Sequence, residues 1–263
     1  MSAHIEYLLR LADNGLILSH RLAEWAGHGP VLEEDIALSN IGLDLLGQAR
    51  LLYQHAGTLA APESGAPRTE DDFAYFRDAS EFRNFTMLEL PNSGVASGGP
   101  GAGDYGFTIV RNALYSSWGC LAWLQLQSSA DAQLAAIAGK AVKETRYHWR
   151  HASDWLVRLG DGTAESHGRM QRALDSLLPY CNEWFVGDQI DQQMHAMGVG
   201  FEPANLREPW LAMLKPVIAE STLSWSKDSH FQSKGKAGQH GEHLSYLLAH
   251  MQALPRLHPG AVW

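Results

Sequence analysis

Helical spacing runs through almost every long segment of this chain. Apolar residues recur three or four positions apart, and alternation with a period of two is nowhere sustained. Such a chain must bury stripes of helix against other helices, which confines it to the all-α architectures. A first helix covers about residues 4–25 and stops at Gly27-His28-Gly29-Pro30. Pro30 suits the first turn of the next helix, where a missing amide hydrogen has no partner to lose. That second helix continues to about residue 55, with Ile41, Leu45, Gln48 and Leu52 on one stripe. Gly57 and the proline-containing stretch 62–67 end it. Residues 70–85 form a polar-aromatic connector with one or two short helices, and residues 91–103 form a glycine-rich loop. That loop is not a phosphate loop, because no Gly-Lys-Ser/Thr follows and no strand precedes it.

Two more long helices cover about residues 104–128 and 130–159. Thr163 caps a fifth that reaches about residue 185, bent by Pro179. A sixth spans about residues 206–223 with Pro216 as a kink, and after an irregular stretch a last one spans about 242–254. The order of helix pair, connector, helix pair and accessory helices predicts a ferritin-like four-helix bundle with a long crossover and additional C-terminal helices. With 45% apolar content, 263 residues suffice for one ferritin-like domain over 1–263, its core bundle at about 4–160 and accessory helices at about 163–263.

Composition removes several function classes. Twenty Lys and Arg stand against 29 Asp and Glu, a formal net charge of −9, which disfavours a nucleic-acid binder. The apolar run over residues 112–130 is broken by Asn112, Ser116, Ser117, Gln125, Gln127 and Ser128 and has no basic flank. It reads as a buried helix of a soluble bundle and not as a membrane span. Glu6 and Arg10 interrupt the first apolar stretch, so it is no signal peptide. The two cysteines, Cys120 and Cys181, have neither ligand spacing nor a framework to staple, which points to a reducing, cytoplasmic setting. Cys120, beside Trp118 and Trp123, reads as a small buried hydrophobe.

Thirteen histidines raise the question of a metal. A di-iron carboxylate bundle takes one Glu from each of two helices and a Glu-x-x-His from each of the other two. The three-residue spacing sets carboxylate and imidazole on one inward face. On the second helix the inward slots hold Leu45 and Gln48; on the fourth they hold Thr145 and His148. The single glutamates of the other two helices should fall roughly thirty residues earlier by hairpin geometry, near Gly15 and Tyr115, and no Glu is close to either. Only His148 has ligand chemistry, and one imidazole cannot hold two irons, so it reads as a hydrogen-bonded core histidine and the chain as metal-free. His240-Gly-Glu-His243 has the spacing of a zinc pair, but a glycine-rich loop before a helix is a common place for solvated histidines. His20, His28, His55, His195 and His258 are scattered.

Long strings of the sequence carry a family resemblance. Residues 11–50 (LADNGLILSHRLAEWAGHGPVLEEDIALSNIGLDLLGQAR) resemble the PaaC family, the non-catalytic, ferritin-like C subunits of bacterial phenylacetyl-CoA 1,2-epoxidase. RDASEFRNF (77–85), LELPNS (88–93), residues 131–163 and the end from Gly238 to Trp263 are similar as well, so the resemblance covers nearly the whole chain. The glycine-rich loop after Pro91 is longer, and residues 226–234 are less characteristic. The resemblance implies an oxygenase complex of aerobic phenylacetate breakdown. A homologous A subunit would hold the di-iron centre and epoxidise the CoA-activated ring, paired as a heterodimer with this chain. A small B subunit would bridge the assembly, and a reductase carrying flavin and an iron-sulfur cluster would supply electrons from NADPH. No catalytic residue and no cofactor would reside in this chain, which would touch neither nucleic acid nor membrane.

Two other readings compete. One is an independent ferritin-like metal oxidase built on His148, Glu144 and Asp13. The other is a bundle that binds a hydrophobic ligand in a pocket lined by Leu45, Tyr115 and Thr145. Among nine tryptophans, Trp149 and Trp155 look exposed enough to serve an interface, although core packing accounts for any single one.

Overall fold

A computed structural model describes residues 2–64, 68–94, 103–225 and 229–261, with the backbone alone for residues 61–64. The run 95–102 of the glycine-rich loop, Pro67, Ser226 and Trp263 lie outside the described residues. The described residues form ten α-helices and no strand; a single isolated bridge joins Lys234 to Gln239. The all-α class and the helix order of a ferritin-like bundle are as expected. None of these helices is long and apolar enough to cross a membrane.

The chain divides into two compact units, residues 1–90 with 234–263, and residues 91–233. The first unit holds α1 (Ala3–Ala23), α2 (Leu32–Ser64), α3 (Glu70–Tyr75), α4 (Thr86–Glu89) and α10 (Glu242–Leu257). Its frame is the antiparallel hairpin of α1 and α2. The Ser2 hydroxyl caps α1 by accepting from the Ile5 amide at 3.3 Å. Almost the whole of α1 is buried, Arg10, Asp13, Asn14 and Arg21 included, so it forms the axis of this unit.

Two sequence expectations fail here for identifiable reasons. Pro30 lies ahead of α2 and not in its first turn, because the helix begins at Leu32. The Asp35 carboxylate collects the amides of Gly27 at 2.7 Å and Gly29 at 3.3 Å across that turn. Gly57 does not end α2, which runs on to Ser64. A Cβ at Gly57 would stand 2.1 Å from the Arg68 carbonyl oxygen, so the glycine lets the returning chain pass close.

The second unit is framed by α5 (Tyr105–Leu126) and α6 (Ala132–Gly160), followed by α7 (Ala164–Leu177), α8 (Gln189–Ala196) and α9 (Arg207–Glu220). Their starts are capped as the residue types dictate. Asp104 accepts from the Phe107 amide, Asp131 from those of Gln133 and Leu134, and Thr163 from that of Ser166. Pro179 opens a 3₁₀ segment, Leu178–Phe185, where an α-helix would lose a hydrogen bond. The sequence reading missed α8, an eight-residue helix with too few turns to show a period.

The two hairpins share one burial pattern at an offset of 100 residues. Leu38 and Ala138, Ile41 and Ala141, Leu45 and Thr145, Gln48 and His148, and Leu52 and Ala152 are buried in matching order. Each hairpin also closes on a glycine. A Cβ at Gly15 would lie 2.9 Å from the Leu45 carbonyl oxygen, and one at Gly119 would lie 3.0 Å from the Thr145 methyl carbon.

Gly15→Ala must therefore separate α1 from α2 and is expected to cost about 1–3 kcal/mol in chemical denaturation. Gly47→Ala, on the same hairpin but with nothing within 4 Å of the new methyl, should stabilise by about 1 kcal/mol.

Candidate functional site

The inward positions of the two hairpins are where their spacing put them. Leu45 and Gln48 are 3% and 4% exposed, and Thr145 and His148 are both 3% exposed. Leucine has no donor atom, glutamine offers a neutral amide and threonine a neutral hydroxyl, so these side chains do not fit the charged donor set of a di-iron centre. The Thr145 hydroxyl is buried with no hydrogen-bond partner, and so are both amide atoms of Asn112 on α5. On α5 the residue that meets Thr145 is Gly119, one turn beyond the expected Tyr115; neither carries a carboxylate. Gly15 on α1 meets Leu45 as the hairpin geometry required. Glu144, the acid nearest His148 in sequence, is half-buried and pairs with Lys140 at 3.3 Å.

Buried charge in the first unit is organised elsewhere. Asp13, on the axis helix, is fully buried and accepts from the guanidinium of Arg77, from the Tyr53 hydroxyl at 2.5 Å and from the Arg83 amide at 2.7 Å. Burial opposes the Arg77 charge, but the Asp13 carboxylate more than offsets that and holds the guanidinium's pKa above its usual range. The Tyr53 hydroxyl is pushed well up, by burial first and then by the negative charge of Asp13. Arg77 also donates to the Phe73 and Glu81 carbonyls and lies 4.2 Å from the centroid of the Phe82 ring. This group ties α1, α2 and the connector together and leaves Asp13 saturated.

A second buried group joins the connector to the last helix. Glu89 on α4 is fully buried and accepts from His240 Nδ1 at 2.7 Å, from Asn84 at 3.2 Å and from the Gly241 amide at 2.7 Å. The other ring nitrogen of His240 faces the Phe82 carbonyl at 3.0 Å. Both nitrogens meet acceptors, an arrangement that favours the doubly protonated ring. Burial lowers its pKa, yet the Glu89 hydrogen bond and charge, with the Phe82 carbonyl, raise it overall. The reading of His240 as solvated is therefore corrected: its side chain is 4% exposed, folded in by Glu89. His243 contributes its backbone carbonyl, which accepts from Arg21 at 3.2 Å, and Arg21 also donates twice to the Glu89 carbonyl. The sequence signal for both groups was an acid or base set inside an apolar run, as in LLRLADN and MLELP.

The second unit buries aromatic rings and few charges. Trp118, Trp184 and Trp210 form a chain of contacts with Tyr115 and Phe185, and the Trp210 indole donates to the Leu114 carbonyl at 3.2 Å. Trp149 and Trp155 are half-buried, Trp155 edge-on to Tyr105. Burial pushes the Cys120 thiol up to about 11 and Cys181 well above its usual value, so both are inert. Fully buried Arg111 is held by Asn92 at 2.5 Å. A cavity of about 260 Å³ is bordered by Phe185, Trp210, Trp225, Arg207 and Lys215, and none of Leu45, Tyr115 or Thr145 lines it.

An all-α chain of paired long helices, with Leu45 and Gln48 on one inward turn and Thr145 and His148 on the other, has the form of a ferritin-like bundle. Residues 1–263 match the phenylacetic acid catabolic protein family, and the chain belongs to it. It is 42% identical over 257 residues, 98% of each chain, to the C subunit of 1,2-phenylacetyl-CoA epoxidase from Escherichia coli (strain K12).

Removing one partner of the buried pair, as in Asp13→Asn, strands the Arg77 charge and should cost about 3–5 kcal/mol by denaturant titration. The raised pKa of His240 sets a sign for pH dependence. Its contribution is complete below the ordinary value of 6.5 and is lost as pH rises through the raised folded value. The melting temperature of the native chain should fall as pH rises from 6.5 through that value, and His240→Gln should flatten that part of the profile.

Proposed function

We propose that this chain is a structural, non-catalytic member of a multicomponent ring-epoxidising monooxygenase that acts on phenylacetyl-CoA in aerobic phenylacetate catabolism. It supports the fold of a homologous catalytic A subunit, which carries the di-iron centre. A small B subunit and a reductase with flavin and iron-sulfur groups, fed by NADPH, complete the assembly in the cytoplasm. The observation that carries this reading is the side-chain set at the inward turns, Leu45 with Gln48 and Thr145 with His148, all buried and three of them without ligand chemistry. The family and the Escherichia coli relative supply the complex and the substrate class.

The competing readings find less support. An oxidase built on His148, Glu144 and Asp13 would need carboxylates that are free to bind metal. Asp13 is saturated by Arg77, Tyr53 and the Arg83 amide, and Glu144 is paired with Lys140. A hydrophobic-ligand pocket would need space at the hairpin crossings, where Gly15 and Gly119 instead bring the backbones against Leu45 and Thr145.

The test measures iron and oxygen-dependent epoxidation of phenylacetyl-CoA by this chain alone, by its A subunit alone and by the two together with the reductase. The expected result is no stoichiometric iron and no turnover with this chain alone, and full activity only with both subunits. About two irons per chain with turnover in the A subunit's absence would overturn the proposal.

A further inference from the structure

The outer face of α2 carries a ridge that the fold itself does not require. Leu32 is 72% exposed, Ile36 51%, Leu43 65% and Leu46 39%. With half-buried Ser39 they fall at steps of four, three, four and three residues, the spacing of a heptad seam along one face of a helix. Gly47 beside the ridge has open space over its Cα, which leaves room for an approaching backbone. The matching positions on α6, at the same offset of 100 residues, hold Ala132, Ala136, Lys143 and Arg146. Where the second hairpin shows this face to solvent it uses small and basic residues, so leucine and isoleucine on α2 answer a different need. Contiguous exposed apolar side chains of this kind mark interaction surfaces.

We propose that this ridge docks a long helix of another subunit of the complex, one with heptad-spaced apolar residues flanked by Lys or Arg. The proposal rests on the multi-subunit reading above. Heptad spacing selects a helix as the occupant, since only a helix sets its own apolar side chains at matching intervals in the grooves of such a ridge. Charge selects the flanks. Between Arg21 and Arg50 the chain has no Lys or Arg, whereas Glu33, Asp35 and Asp44 lie along the length of the ridge. A second copy meeting this face with its own ridge would set acid against acid, which disfavours self-association here.

The experiment measures affinity between this chain and the co-expressed subunits of its own complex, with size-exclusion light scattering of the chain alone. Ile36→Asp and Leu43→Asp should each weaken assembly by about 30-fold or more, as loss of a central apolar anchor does. Both positions are exposed in the isolated chain, so its melting temperature should not change. Lys143→Asp, the equivalent position on α6, should leave assembly intact. Wild-type affinity in both ridge variants would overturn the docking site while leaving the proposed function in place. A homodimer of the chain alone that Leu43→Asp dissolves would make a second copy the occupant and would also overturn it. No association of the wild-type chain with any of those subunits would remove the proposed function, and the proposed occupant with it.

Discussion

The contact between Asp13 and Arg77 sets the terms for the first unit. An aspartate at the centre of an almost wholly buried helix is tolerable only with a full set of donors. Those donors come from three directions: the Arg77 guanidinium, the Tyr53 hydroxyl of α2 and the Arg83 amide of the connector. Each donor fixes the element that carries it, so one buried carboxylate positions α2 and residues 77–83 together. Glu89 repeats the device one step further along, holding His240 and the first amide before α10. Such polar centres add specificity of arrangement more than net stability, because other packings would strand a charge.

The two hairpins show how one helical scaffold can be filled in different ways. Their buried positions correspond at an offset of 100 residues, yet the first uses Ile41, Leu45 and Leu52 where the second uses Ala141, Thr145 and Ala152. The smaller side chains of α6 go with the heavier ones of α5, whose Tyr115 and Trp118 join the aromatic cluster with Trp184. Glycines at both crossings let the helix axes come close in either case. A ferritin-like frame is thus filled differently in its two hairpins, with Leu45 and Gln48 on one inward turn and Thr145 and His148 on the other.

How much of this was legible in the sequence depended on distance along the chain. The stripe through Ile41, Leu45, Gln48 and Leu52 was readable because helical periodicity is local, and so was the cap at Thr163. Hairpin geometry predicted Gly15 correctly and Gly119 one turn off, since the register of a hairpin depends on how its connection is wound. Gly57 was misread as a stop because a glycine needed for close approach and one that ends a helix look alike in sequence. The pairing of His240 with Glu89 was out of reach: the two are separated by 151 positions, and nothing local distinguishes a buried imidazolium from a solvated ring. The apolar ridge on α2 was hidden for the opposite reason, since exposed and buried leucines of one helix obey the same spacing.

The first unit is assembled from two distant stretches of chain, and that has a consequence for biosynthesis. Residues 1–90 emerge from the ribosome with Glu89 lacking His240, and residues 91–233 must be made before residues 234–263 can complete the site. Until then a carboxylate destined for the interior has neither its counter-charge nor the Gly241 amide, which opposes its burial. The second unit, by contrast, is one continuous segment and can condense as soon as it is extruded. Synthesis order and folding order thus run against each other: the unit translated first is the one that finishes last.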